Sequence, residues 1–125
     1  MNVVDSSAWL EYLGDGPNAS EFAQAIETPH ELAVPTLTLF EVFKRTFELK
    51  GEATAFDAVA TMLQGRVVNL SAGLALEAAR ISIDKGLSLA DSIILATARS
   101  QDAVLWTQDA HFSGLEGVEY RAPHP

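Results

Sequence analysis

The sequence contains no cysteine, so a disulfide framework and thiolate metal sites are both excluded. It is short of positive charge: 8 Lys and Arg stand against 17 Asp and Glu, a formal net charge of -9. That balance argues against nonspecific nucleic-acid binding through a general basic surface. It suits bound cations or a basic protein partner, and solubility alone is the competing account. Long apolar runs are also missing, and no stretch approaches the roughly 18 apolar residues of a membrane helix. Residues 1–13, MNVVDSSAWLEYL, lack a basic start and carry Asp5 and Glu11, so they do not read as a secretory leader. The expectation is a soluble, cytoplasmic protein. Repeats, linkers and low-complexity segments are absent.

What is present is a chain of 125 residues, 48% of them hydrophobic. This is too apolar for disorder and fits one domain over residues 1–125. At this length roughly two thirds of the unfolded surface can be buried.

Short apolar runs alternate with helical patterns. Strands are expected at 2–5 (NVVD), 31–34 (ELAV), 66–70 (RVVNL) and 103–107 (AVLWT), with a short edge strand at 118–121. Helices are expected after Ser6 or Ser7, after Asn18, from Pro35 to about Lys50, over 52–64, from Ser71 to Lys85, and from Ser88 onward. Periodicity puts most of Phe40, Phe43, Phe47 and Phe56 in the core, and gives the last helix an apolar face beginning at Leu89. A surplus of those phenylalanines would instead line a groove for a partner helix. Strands separated by helices require parallel pairing and right-handed crossovers. The fold class is therefore α/β, a three-layer α/β/α sandwich around a short central parallel sheet.

Ligands of open α/β sheets sit beyond the carboxyl ends of the strands. Asp5 ends the first strand, and Asp109 lies just past the fourth. Glu41 and Asp91 lie near the starts of helices that follow other crossovers. Each has an ordinary structural role open to it. Asp5 would serve as a polar strand end, Asp91 as part of a capping box with Ser88, and Asp109 as an N-cap. Glu41 sits in the nearly apolar run LTLFEVF and is harder to place unless it faces solvent. Together, four clustered carboxylates would repel one another and raise each other's pKa values. A hard divalent cation removes that repulsion, and oxygen-only ligands favour Mg²⁺ or Mn²⁺. Lys44, Arg45 and Arg99 follow the acids on their helices and are candidate phosphate contacts or a solvated face.

At these residues the sequence resembles the PIN-domain ribonucleases, in particular the stand-alone VapC-type toxins of toxin–antitoxin pairs. The matching segments are VVDSSAWLEYL at 3–13, PTLTLFEVFKR at 35–45, LSLADSIILATA at 87–98 and LWTQDAHF at 105–112. The resemblance implies a metal-dependent endoribonuclease with a compact PIN-like α/β/α fold. It places the acidic quartet, and the Mg²⁺ or Mn²⁺ it would hold, on Asp5, Glu41, Asp91 and Asp109. It assigns the accompanying hydroxyls to Ser6 and Thr107. It further implies an RNA substrate such as tRNA or rRNA, a cognate antitoxin and a homodimer. Some relatives carry a further acid shortly after the fourth position, where His111 stands here, which leaves open whether a second metal is held and whether His111 caps or packs a turn or touches RNA or the metal shell.

Other readings compete. A serine hydrolase fails because Gly86-Leu87-Ser88-Leu89-Ala90 has no strand before it. No P-loop motif exists. A phosphate-accepting receiver domain fits in size but lacks the acidic pair and the acid after the third strand. A PIN-like module that binds metal or protein without catalysis stays open.

Overall fold

The structure, a computed structural model, describes residues 1–125. The elements run β1 (Asn2–Val4), α1 (Ser6–Leu13), α2 (Ala19–Ile26), β2 (Leu32–Pro35), α3 (Thr36–Lys50) and α4 (Glu52–Met62). They continue with β3 (Arg66–Val68), α5 (Ala72–Lys85), α6 (Leu89–Ser100), β4 (Val104–Thr107) and β5 (Val118–Tyr120). Two 3₁₀ turns, Pro29–Glu31 and Ala110–Phe112, precede β2 and follow β4.

The five strands form one sheet in the order β3-β2-β1-β4-β5, and every pairing is parallel. β1 lies at the centre, with Val3 opposite Ala33 on one side and Leu105 on the other. Alternation along a strand sends successive side chains to opposite faces. Val3 accordingly joins the core under α5 and α6, whereas Val4 joins the core under α1, α2, α3 and α4. The second core contains the fully buried Trp9, Phe22 and Met62, each burial contributing roughly 1.5–3 kcal/mol. Two cores, one on each sheet face, make the expected three layers.

Local signals fix several boundaries. Ser71 and Ser88 each accept a hydrogen bond from the amide three residues on, Leu74 and Asp91, and so cap α5 and α6. Gly86 closes α5 in the left-handed conformation at φ 70°, which favours glycine. α6 is buried almost all round, from Ser92 to Ala98, because it lies between the sheet and α5.

Four expectations fail. Neither serine caps α1: Asp5 occupies the N-cap position without a side-chain cap bond. Both hydroxyls are drawn away to acids, Ser6 to Glu41 and Ser7 to Asp5. Asn18 stands at the N-cap of α2 but does not cap it. Its amide group instead donates to the Gln108 side chain at 2.6 Å and the Ala122 carbonyl at 2.9 Å. The phenylalanines are mostly outside the core. Phe40 is 61% exposed, and Phe47 and Phe56 are also exposed. Phe43 packs edge-to-face on Phe47 and Phe56, giving a surface aromatic cluster where α3 meets α4. Leu89 is likewise exposed, because it precedes the buried part of α6.

Candidate active site

β1 and β4 are neighbours, and the amide of Asp5 donates to the Trp106 carbonyl at 2.9 Å, so the chain leaves both strands at one place. Asp5 and Thr107 meet there. The Thr107 hydroxyl donates to Asp5 Oδ2 at 2.9 Å and accepts the Asp109 amide at 2.9 Å. The Ser7 hydroxyl donates to the same Oδ2 at 2.8 Å and accepts the Gln108 amide at 3.1 Å. From α3, Glu41 is reached by the Ser6 hydroxyl, which donates to Oε1 at 2.6 Å. α6 presents Asp91 from its first turn.

The result is one cleft of about 350 Å³ lined by Asp5, Ser6, Ser7, Leu10, Glu41, Arg45, Asp91 and Asp109. All four acids singled out in the sequence border it. Ser6 and Thr107 contact acids of the same cleft, with Thr107 fully buried. Of the basic candidates, Arg45 lines the cleft. Lys44 lies over the Phe40 ring, 5.8 Å from its centroid. A larger cavity of about 480 Å³ opens between α1, α3 and α4, with Leu10 and Arg45 in its wall as well, but Asp57 is the only acid lining it. The smaller cleft is the one that gathers the acids.

The electrostatics are unfavourable as they stand. Burial is the main cause of a raised carboxyl pKa at Asp5, opposed by the hydrogen bonds from Ser7 and Thr107. Burial also raises Glu41, opposed by Ser6. Asp91 is pushed from 3.8 to about 6, first by burial and then by the charges of Asp109 and Asp5. No lysine or arginine pairs with any of these acids; the basic partner present is His111. Its Nδ1 lies 2.9 Å from Asp109 Oδ1 and 3.6 Å from Asp91 Oδ2. His111 stands in the 3₁₀ turn that Asp109 caps; its side chain is 76% exposed and lies against the acids.

The ordinary roles considered for two of the acids are also partly realised. Asp91 belongs to the Ser88-capped turn, and Asp109 accepts the His111 amide at 2.9 Å as the N-cap of its 3₁₀ turn. Local capping and convergence on the cleft coexist. Sequence reasoning missed Ser7, because the adjacent Ser6 satisfied the same pattern.

The donor set fits a hard divalent cation. It consists of carboxylate oxygens without a countercharge, and Asp91, Asp109 and His111 each offer a donor atom, all within 4.8 Å of one another.

An all-parallel sheet with this strand order, carrying acids at the carboxyl ends of its central strands, defines an α/β domain built around a polyanionic cleft. The chain belongs to the PIN domain family, whose model matches residues 3–118. The receiver-domain reading is thereby set aside. No curated protein matches the chain.

Solved structures match the fold. A toxin–antitoxin complex from Klebsiella pneumoniae gives a TM-score of 0.85 at 21% identity, covering 99% of this chain and 100% of that one. The sarcin-ricin loop cleaving toxin VapC20 of Mycobacterium tuberculosis gives 0.76 at 19% identity, covering 93% of this chain and 95% of that one. VapBC2 of Rickettsia felis, bound to a DNA fragment from its promoter, gives 0.72 at 14% identity over 97% of both chains. No helix here is long and apolar enough to cross a membrane.

Proposed function

We propose that this PIN domain is a divalent-cation-dependent endoribonuclease and the VapC-type toxin of a toxin–antitoxin pair. On this reading it cleaves a structured RNA such as tRNA or rRNA and thereby inhibits translation. One observation carries the chemistry: Asp5, Glu41, Asp91 and Asp109 come from four separate segments and border a single cleft. The toxin assignment is supported by likeness to solved toxins and toxin–antitoxin complexes. The partners would be a cognate antitoxin and a second copy of the chain, and the compartment the cytoplasm.

Asp5, Glu41, Asp91 and Asp109 would hold Mg²⁺ or Mn²⁺. Such an ion, when bound, supplies an activated water and offsets charge at the phosphate. The protein's own contribution is positioning. Thr107 and Ser7 fix the Asp5 carboxylate through Oδ2. Ser6 fixes Glu41 through Oε1. Arg45, at the wall, attracts an RNA phosphate toward an otherwise anionic cleft.

The test is cleavage of total cellular RNA by antitoxin-free protein with Mn²⁺ or Mg²⁺, with chelator, and with Asp91→Asn. Discrete fragments that disappear with chelator and in the variant are expected, with activity at least about a hundredfold lower in Asp91→Asn. Equal cleavage by the variant would remove Asp91 from the reaction. Cation binding without cleavage would favour a non-catalytic binding module.

A further inference from the structure

We propose that His111 is a nitrogen ligand of the cleft, so that the site prefers a transition cation such as Mn²⁺ over Mg²⁺. The inference rests on the reading of the cleft as a cation site and adds a donor that the acidic quartet does not contain.

The geometry is specific. The Asp109 carboxylate accepts the His111 backbone amide at 2.9 Å, which turns the chain back on itself directly after β4. That turn sets His111 Nδ1 2.9 Å from Asp109 Oδ1 and 3.6 Å from Asp91 Oδ2. Neighbouring ligands around a cation with bonds of about 2.1 Å stand roughly 3 Å apart, and opposite ones roughly 4 Å. The separations here fall in that range. The side chain is largely in solvent, so the contact with Asp109, and not packing, holds it in place. With no ion bound, Nδ1–H donates to Asp109 Oδ1 at 2.9 Å; a bound cation would take the place of that proton, with Nδ1 facing the space shared with the two acids. Imidazole nitrogen suits transition ions, whereas Mg²⁺ keeps to carboxylates and water.

The experiment uses the full chain, free of antitoxin, in three forms: wild type, His111→Ala and Asp91→Asn. Calorimetric titration with Mn²⁺ and with Mg²⁺ gives affinities, and pulsed electron paramagnetic resonance of the Mn²⁺-loaded protein detects nitrogen coupled to the ion. In wild type a histidine nitrogen coupling is expected, and His111→Ala abolishes it. The same variant weakens Mn²⁺ binding about 10–100-fold but Mg²⁺ binding by no more than about threefold.

Mn²⁺ bound to wild type without nitrogen coupling overturns the proposal. So does an equal loss for both ions in His111→Ala, which would make His111 a positioning residue for Asp109. Those results leave the cation site standing provided that Asp91→Asn impairs binding. If wild type binds neither ion, the cation-site reading itself falls, and this inference with it.

Discussion

The two halves of the acidic cleft are held in opposite ways. In the inner half, hydroxyls of Ser7 and Thr107 donate to Asp5, and Ser6 donates to Glu41. Those hydrogen bonds offset part of the burial that raises both carboxyl pKa values. In the outer half, Asp91 and Asp109 face each other with His111 as their basic partner, and Asp91 is left with its carboxyl pushed up to about 6. The contrast teaches that convergence alone does not make a site comfortable. The inner acids are built in by the protein, whereas the outer acids await a countercharge.

The strongest way to break the inner half is Thr107→Val. The change keeps the shape but leaves Asp5 short of one donor and the Asp109 amide without its acceptor. A loss of roughly 2–4 kcal/mol is expected, read as a fall in melting temperature of about 10 °C. A fall of only a degree or two would mean that the hydroxyl network does not hold the inner half.

Asp91→Asn sharpens the comparison with the opposite sign. The folded pKa of Asp91 is raised above its ordinary value of 3.8, so the folded state binds this proton more tightly than the unfolded state. Its favourable contribution is full below about pH 4 and is lost as pH rises through about 6. The cation-free variant should therefore match wild type near pH 4 and exceed it by about 1–2 kcal/mol at pH 7. Saturating Mn²⁺ should stabilise wild type at pH 7 by about 2–3 kcal/mol at a hundred times the dissociation constant, and the variant much less. Melting curves across pH, with and without Mn²⁺, decide this. A variant less stable than wild type at pH 7 without cation would show that the outer acids are not strained.

The smallest effect is expected from Phe40→Ser, one residue before Glu41. Phe40 is 61% exposed and touches the cleft through neither a hydrogen bond nor its lining. Its stability should stay within about 0.5 kcal/mol of wild type, showing that position near the acids does not by itself confer sensitivity.

The alternation of strands and helices was legible because each strand is a short apolar run and each helix has a periodic stripe. Ser71, Ser88 and Gly86 marked boundaries because caps and left-handed stops depend on local chemistry alone. The four acids were legible as strand-end and helix-start residues, and the PIN resemblance singled out the same positions.

What escaped was whatever depends on a distant partner. Ser6 and Ser7 are equivalent as sequence, and only the nearness of β4 and α3 separates their tasks. The periodicity of Phe40, Phe43 and Phe47 shows that they share a face of α3 but not that the face lies in solvent. His111 is separated from Asp91 by twenty residues, and only the fold brings its imidazole against that carboxylate.

Asn18 carries a consequence for the far end of the chain. It ties the Gln108 side chain and the Ala122 carbonyl to the start of α2, while the Arg121 amide donates to the Thr107 carbonyl at 2.9 Å. The segment after β5 thus braces the two residues that lead from β4 to Asp109. A partner or tag that peels this tail away would loosen the rear support of the cleft without touching an acid. The tail acts as a mechanical stay, and slackness there would be transmitted to the acidic cleft from outside it.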